Sequence, residues 1–337
     1  MIREAISKVA SGKGLSAQES KQVFDEIMGG SATEAQIASF ITALAIKGES
    51  ADEITGAAKA MAERAQHVIY TGNADLLDVV GTGGDGKGAF NVSTASAIVA
   101  AGAGCIVAKH GNRSASGRCG AADVLEALGV RIDTAPGRNG EILSKNGFAF
   151  LFAQSHHPAM KFAAKTRKEI GIRTIFNVLG PITNPADAST YLLGACNEGL
   201  AKRLAASLAA LNVKRALVVS GGGFDEATLT GKTTVFEVEG GKVTRKIYAP
   251  RDFGFKKCSE ADLSASGAQE SAKIIMGILE GKEMGAARDM VVLNAGLAIY
   301  ANRKAASVKE GIAMAKDSID SKRALAKLNG LIKESKT

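Results

Sequence analysis

The sequence feature that most constrains the fold is a series of short apolar segments that alternate with helical patterns from about Asp75 onward. Four of these segments are expected to be buried strands, at residues 76–80, 105–108, 148–152 and 215–220. Short apolar strands separated by helices are typical of a largely parallel sheet, because the crossover helices cover its faces. Segments 233–238 and 242–247 flank Gly240-Gly241 and predict a hairpin. The sequence therefore predicts an α/β fold with a mainly parallel central sheet.

The first 66 residues have a different pattern, in which apolar residues recur at helical spacing and glycines interrupt them. Three capping boxes mark helix starts, because a Ser or Thr side chain caps a backbone N–H and a Glu or Gln three residues later reciprocates. The three pairs are Ser16/Glu19, Thr33/Gln36 and Ser50/Glu53. A small helical unit is therefore expected ahead of the sheet. A basic helix that begins near Lys161 could return the chain to this unit, which spacing alone leaves open.

Composition narrows the class of protein. No run of roughly 18 apolar residues is present, so no membrane span is predicted. The four cysteines include no C-x-x-C pair, which suits a reducing compartment, and a cytoplasmic location is expected. The net charge of +8 fits a nucleic-acid binder or an enzyme for anionic small molecules. Basic residues are spread over the whole chain and no tryptophan is available for base stacking, so nucleic acid is the less favoured partner.

The loop after the first strand, residues 81–86 (GTGGDG), matches the G-x-G-x-x-G pattern of dinucleotide-binding sites. That fingerprint also requires an acidic residue about 20 positions later, and residues 90–118 contain no Asp or Glu. Residues 91–94 (NVST) instead place hydrogen-bonding side chains at a helix start, where exposed N–H groups and the positive helix end attract phosphate. The loop is therefore interpreted as a phosphate site, with a tight turn and an N-cap as the simpler alternative.

Three more loops follow strand ends, where ligands bind in open α/β sheets. Residues 109–118 combine four potentially positive side chains with small residues, which suits phosphate, although a solvated basic loop remains the alternative. His156 and His157 are expected on an extended segment, pointing in opposite directions in structural roles. Asp225 and Glu226 follow a glycine run. Two adjacent carboxylates repel each other unless a cation such as Mg²⁺ binds between them. A surface turn with two acids is the alternative for this last loop.

Taken together, these loops resemble those of the anthranilate phosphoribosyltransferases of tryptophan biosynthesis. The resemblance covers essentially the whole chain, through the motifs DVVGTGGDG (78–86), NVST (91–94), KHGNR (109–113), ADVLEALG (122–129), SHHPAM (155–160) and RTIFNVLGP (173–181). It implies transfer of a phosphoribosyl group from 5-phosphoribosyl 1-diphosphate (PRPP) to anthranilate, with release of pyrophosphate. It also implies a small discontinuous helical domain (1–72 with 160–188), an α/β domain (73–159 and 189–337) and a homodimer formed through the helical domain.

The resemblance also assigns site residues. Contacts with the sugar diphosphate are expected from Gly81, Gly84, Asp85, Asn91, Val92, Ser93, Thr94, Lys109, His110, Gly111, Asn112, Arg113, Ser114, Ala115, Ser116 and Gly117. Ser93, Asp225 and Glu226 are expected to hold magnesium. Asn112 and Arg167 are expected to bind anthranilate, since a guanidinium grips a carboxylate bidentately. His110 and Pro181 are expected to line the anthranilate path, and no catalytic residue is assigned.

The sequence departs from the family pattern at Ala89, Gly117 and Ala121, where a threonine or serine is common. Each position loses a hydroxyl that could bind phosphate, so weaker donor affinity is expected rather than a different reaction. Two alternatives remain open. The KHGNR loop and the acid pair disfavour a pyrimidine nucleoside phosphorylase, and Asn112 and Arg167 disfavour a nucleic-acid-binding relative without transferase activity.

Overall fold

The computed structural model describes residues 1–114 and 119–337, so the predicted donor contacts Ala115, Ser116 and Gly117 lie outside the described residues. Within those ranges, seven strands form one sheet in the order β3-β2-β1-β4-β5-β6-β7. The strands are β1 (Leu76–Gly81), β2 (Ile106–Gly111), β3 (Phe148–Phe152), β4 (Thr190–Gly194), β5 (Arg215–Gly221), β6 (Thr233–Glu239) and β7 (Lys242–Tyr248). Strands β1 to β5 pair in parallel, and β6 and β7 add an antiparallel hairpin. The mainly parallel sheet and the hairpin are thus confirmed.

Two details of the sheet differ from the prediction. Strand β4 was not predicted, because a five-residue apolar run cannot be assigned to strand or helix by periodicity. It lies between β1 and β5 at the centre of the sheet. Strand β2 was expected to end at Ala108, but it continues through Lys109, His110 and Gly111. The end of β2 was predicted too early because Lys109 and His110 are buried within the strand, and polar residues are uncommon at buried positions.

Helices surround the sheet and form the N-terminal unit. They are α1 (Ile2–Ala10), α2 (Ala17–Met28), α3 (Glu34–Lys47), α4 (Ala51–Ala62), α5 (Val92–Gly102), α6 (Ala121–Ala127), α7 (Pro136–Asn146), α8 (Ala153–His156), α9 (Lys161–Ile170), α10 (Phe176–Leu179), α11 (Glu198–Ala210), α12 (Ala268–Leu279), α13 (Ala286–Ala301), α14 (Val308–Asp320) and α15 (Arg323–Ser335). Helix α5, which follows β1, is buried along most of its length because α13 and α15 pack over it. Within the described ranges, every helix is too short or too polar to cross a bilayer.

The predicted capping boxes start helices α2, α3 and α4, each with both reciprocal hydrogen bonds. The box at Ser50 and Glu53 has a second role. The Glu53 side chain is fully buried, accepts from the backbone N–H of Leu15 (3.0 Å) and pairs with Lys47 (2.9 Å). Glu53, which caps its own helix α4, therefore also links α4 to the α1–α2 connection and to the end of α3.

Glu53→Ala is expected to lower the free energy of unfolding by about 3 kcal/mol, since it leaves two backbone donors and a largely buried ammonium without their carboxylate. Urea denaturation would measure the loss. Glu63→Ala is the control, because Glu63 is exposed and pairs with the half-buried Lys21, and its loss should cost less than about 1 kcal/mol. Equal losses in the two variants would contradict a special role for Glu53.

Two helices within residues 160–188 pack against the N-terminal helices. Helix α9 lies on α2 and α3, and α10 lies on α4. The ring centroids of Phe24 and Phe176 are 5.5 Å apart, and Lys165 pairs with Glu34 at 2.9 Å. These contacts confirm the expected basic helix. They support the proposed two-part helical domain, whose exact boundaries stay a prediction.

Candidate active site

The loops that follow β1 and β5 meet at the carboxyl edge of the sheet. The N–H of Gly83 donates to Oδ2 of Asp225 (2.6 Å). Two neighbouring glycines make this approach possible. A Cβ at Gly81 would lie 2.3 Å from that Oδ2, and a Cβ at Gly194 would lie 1.4 Å from the carbonyl oxygen of Asp225. Because real Cβ atoms never come so close, the acid loop can lie here only against bare backbone at the ends of β1 and β4.

Three carboxylates form a cluster at this junction. One oxygen from each of Asp85, Asp225 and Glu226 lies within 4.8 Å of the others. Burial, helped by the negative charge of Asp85, raises the pKa of Asp225 to about 6, and burial with the charge of Asp225 raises the pKa of Glu226 well above its usual value. Among the described residues, Oε2 of Glu226 has no hydrogen-bond partner. Crowded carboxylates with free lone pairs are the oxygen donors that Mg²⁺ prefers, so this cluster fits the expected ion.

The carboxylate cluster contains Asp85 in addition to the two acids, Asp225 and Glu226, that were predicted to bind magnesium with Ser93. Asp85 was expected to contact the diphosphate, and the structure places it with Asp225 and Glu226. Ser93, the third predicted ligand, lines the same small cavity as those two acids. The structure therefore brings all four side chains to one place, and the assignment of individual ligands stays a prediction.

Lys109 is buried near the cluster. Its side chain is 1% exposed, and Nζ donates to the Val79 carbonyl (2.5 Å) and, at 3.5 Å, to Oγ of Ser93. Burial lowers its pKa to about 8, while the charges of nearby carboxylates, first Asp78 and then Glu226 and Asp225, oppose that shift. Lys109 is therefore a buried amine that interacts with Asp78 as well as with the acid cluster, and its direct contact with a diphosphate stays a prediction.

Helix α5 begins at the predicted phosphate site. Oδ1 of Asn91 accepts from the N–H of Thr94 (3.2 Å), which confirms the helix start with an N-cap. Val92 and Thr94 are buried, whereas Asn91 and Ser93 are half-buried. The buried side chains point into the protein, and the N–H groups of Val92 and Thr94 already donate to the Phe90 carbonyl (2.7 Å) and to Asn91. The N–H of Ser93 is therefore the group that this first turn offers to an anion.

The loop after β2 carries less uncompensated positive charge than its composition predicted. Asn112 and Arg113 are exposed, but the Arg113 guanidinium pairs with Asp123 (3.1 Å) and Glu126 (2.5 Å) of α6. The N–H of Ser114 also donates to Asp123 (3.1 Å). Gly111 ends β2, and Ala121 is the first residue of α6. Helix α6 therefore holds the described part of this loop in place.

His110 and Pro181 are both buried, next to each other in the fold. Nδ1 of His110 lies 2.8 Å from the carbonyl oxygen of Gly180, and its ring centroid lies 5.1 Å from that of His157. Burial lowers the pKa of His110 to about 3 and that of His157 to about 4. Both rings are therefore neutral at physiological pH, and His110 adds no positive charge to the site.

The expectation of an extended segment at His156 was wrong, since α8 ends at that residue. Nδ1 of His156 lies 2.8 Å from the Gln66 carbonyl oxygen, and Nε2 lies 3.2 Å from Nδ2 of Asn139. Both ring nitrogens thus have partners in the core. The structural role predicted for His156 is confirmed.

Arg167 lies in the last turn of α9, on the segment that returns to the helical unit. Its side chain is half-buried, with the guanidinium carbon 5.2 Å from the ring centroid of Phe176. Burial lowers its pKa, but an arginine remains charged in proteins. A guanidinium seated on an aromatic face is oriented in advance, which suits bidentate binding of a carboxylate.

Two residues that shape the site were not singled out from the sequence. Arg173 donates to the carbonyl oxygens of Gly83 (2.6 Å) and Thr82 (3.3 Å). Asn294 of α13 accepts from the N–H of Ala227 (3.0 Å) and donates to its carbonyl (2.8 Å), which fixes the residue after the acid pair. A lone amide within the apolar run 290–299 was a usable signal for Asn294. Arg173 stands in a recognised motif, but its contacts depend on tertiary structure.

Comparisons with known proteins agree with this architecture. Residues 73–325 match the model of the glycosyl transferase family a/b domain, and residues 3–65 match that of the family's helical bundle domain. The anthranilate phosphoribosyltransferase of Methanocorpusculum labreanum is 51% identical over 98% of this chain and 97% of its own length. The crystal structure of anthranilate phosphoribosyltransferase from Thermus thermophilus has a TM-score of 0.93 at 41% identity and covers 99% of both chains. The Saccharomyces cerevisiae enzyme in complex with PRPP and Mg has a TM-score of 0.90 at 30% identity, covering 99% of this chain and 98% of that one.

Proposed function

We infer the activity from a family relationship, since this chain belongs to the anthranilate phosphoribosyltransferase family. It transfers the 5-phosphoribosyl group of PRPP to the amine of anthranilate. The products are N-(5-phosphoribosyl)anthranilate and pyrophosphate, and the reaction is the second step of tryptophan biosynthesis from chorismate. The observation that carries the proposal is the junction of the glycine loop with the acid cluster, through the bond from Gly83 to Asp225.

The donor half of the site follows from this junction. Asp85, Asp225 and Glu226 would hold magnesium, with Ser93 beside them as the further predicted ligand. When bound, the ion neutralises charge on the diphosphate and stabilises it as a leaving group. The backbone N–H groups of Gly84 in the glycine loop and of Ser93 at the start of α5 bind the diphosphate oxygens, since Asp225 accepts from Gly83 and Asn91 from Thr94. These N–H donors are already oriented, so they need not reorganise as negative charge grows on the leaving pyrophosphate. Such preorganised electrostatic stabilisation is usually the largest contribution to catalysis.

The acceptor half requires orientation more than proton transfer. Arg167 binds the carboxylate of anthranilate, and Asn112 aligns the amine with C1 of the ribose. An aromatic amine is neutral at physiological pH and needs no base to become nucleophilic. Proximity of the two substrates supplies much of the remaining rate enhancement. The neutral ring of His110 lines the path without serving as a cation, and solvent or the substrate carboxylate accepts the proton.

A homodimer formed through the helical domain and a cytoplasmic location complete the proposal. Two large apolar side chains on that domain support an interface there. Met1 is 46% exposed at the start of α1 and Ile46 is 82% exposed near the end of α3, and these two helices pack together. The four cysteines are all free thiols, which suits a reducing compartment.

The fluorescence of anthranilate tests the central claim. The purified protein is expected to consume anthranilate only when PRPP and Mg²⁺ are both present, and a chelator should abolish the loss of signal. No loss under any condition would refute the proposed activity. Phosphorolysis of thymidine or uridine is expected to be absent, and its presence would favour the pyrimidine nucleoside phosphorylase alternative. Salt-dependent binding to single-stranded DNA without turnover would favour the nucleic-acid-binding alternative.

A further inference from the structure

We propose that Arg173 is a positioning residue that fixes the direction of the backbone amides in the glycine loop (residues 81–86). Through Arg173, the segment 160–188 thus completes the diphosphate site. The inference rests on the proposed function, which gives Arg173 no role. It concerns the orientation of the loop backbone rather than any contact of Arg173 with substrate.

The contacts hold the glycine loop from two sides. On one side, the Arg173 guanidinium binds the carbonyl oxygens of Thr82 and Gly83. On the other side, Asp225 accepts from the N–H of Gly83. The peptide unit between Thr82 and Gly83 is therefore bound at its oxygen by a cation and at its N–H by an anion. Charge-assisted hydrogen bonds of this kind are stronger than neutral ones.

Peptide geometry then sets the direction of the next amide. The C=O and N–H of a trans peptide are antiparallel, because the unit is planar. When the Gly83 carbonyl points at Arg173, the N–H of Gly84 must point away from the guanidinium. Gly83 and Gly84 have φ values of 64° and 71°, a left-handed conformation that allows successive carbonyls to face the same cation. Arg173 thus leaves the N–H of Gly84 directed away from itself and available to an anion, while the N–H of Gly83 stays bound to Asp225.

Gly84 shows how closely the guanidinium approaches the loop. A Cβ at this position would lie 1.6 Å from a terminal nitrogen of Arg173. Any side chain there would displace the guanidinium, so the loop sequence and Arg173 fit each other. The arginine itself is exposed, and its backbone belongs to the connection between α9 and α10. The sheet loop is therefore oriented by a residue from the segment that packs on the helical unit.

Arg173→Ala tests the proposal by direct binding. Calorimetry with magnesium pyrophosphate, and separately with PRPP and Mg²⁺, should show about tenfold weaker binding, since one charge-assisted contact is lost. Arg173→Lys keeps the charge but not the two-carbonyl fork, and it should recover part of the loss. Because the side chain is exposed, added guanidinium ion at millimolar concentration should also restore binding to Arg173→Ala, with sodium chloride as the ionic-strength control.

The matched control is Lys168→Ala, which removes an exposed cation from α9 without touching the loop. Its diphosphate affinity should stay within about twofold of the wild type. Wild-type affinity in Arg173→Ala, in a protein that turns over anthranilate, would overturn the Arg173 proposal and leave the proposed function standing. Weakened diphosphate binding in Arg173→Ala, combined with a wild-type protein that never consumes anthranilate, would support the Arg173 proposal and refute the proposed function.

Discussion

Asp225→Asn is expected to lower kcat/KM by a factor of about 10³ and to raise the stability of the metal-free protein. The activity falls because the substitution removes a charge from the cluster of Asp85, Asp225 and Glu226, which fits magnesium. Stability rises because those carboxylates repel one another in a desolvated site. The fold should persist, since an asparagine oxygen can still accept from the N–H of Gly83. Steady-state kinetics and thermal denaturation in chelator would measure the two effects.

The stability difference between Asp225→Asn and the wild type is expected to depend on pH. The pKa of Asp225 in the folded, metal-free protein is about 6, above its usual value, so the folded state binds more protons than the unfolded state between about pH 4 and pH 6. The contribution of Asp225 to stability is fully present below that window and is lost as pH rises through it. The advantage of Asp225→Asn over the wild type should therefore grow from about pH 4 to about pH 7. Added Mg²⁺ should reverse the order of the two melting temperatures.

Asp133→Asn is the control for both effects, because this carboxylate is exposed and paired with Arg131. Its activity and its stability should match the wild type within measurement error. An Asp225→Asn protein that keeps wild-type activity, or that loses stability in chelator, would contradict the assignment of the acid cluster as the metal site.

Arg167→Ala is expected to raise the KM for anthranilate by about 100-fold and to leave the KM for PRPP within about threefold. The guanidinium lies on the ring of Phe176 and binds the acceptor carboxylate in our proposal, whereas the diphosphate is assigned to the glycine loop and the acids. Arg167→Lys should recover only part of the loss, because an ammonium cannot form a bidentate pair. Initial rates with each substrate varied in turn would separate the two constants.

Lys165→Ala is the matched control for Arg167, since it removes a positive charge from the same helix. Lys165 forms an exposed ion pair with Glu34, and both KM values should stay near those of the wild type. Equal losses for anthranilate and PRPP in Arg167→Ala would indicate a general structural role and would count against the assignment.

The sequence predicted the elements whose signals are local. Capping boxes such as Ser16/Glu19 act within four residues, and strands such as Phe148–Phe152 are marked by their own apolar side chains. The Asn91 cap at the start of α5 was predictable for the same reason. The acid pair was predicted as a cation site from its own residues, whereas the acceptor roles of Asn112 and Arg167 came only from the family resemblance.

Tertiary structure decided which side chains meet and which are charged. Asp85 joins the acid cluster, and Arg173 meets a loop 90 positions away in the sequence. Burial lowers the pKa of Lys109, which lies among Asp78 and the acid cluster, and makes His110 neutral, although both were interpreted as parts of a positive loop. Strand β4 became evident only in the assembled sheet, where its Gly194 lies against Asp225. Helix caps and apolar runs depend on neighbours in the sequence, whereas burial, pKa and metal geometry depend on neighbours in space.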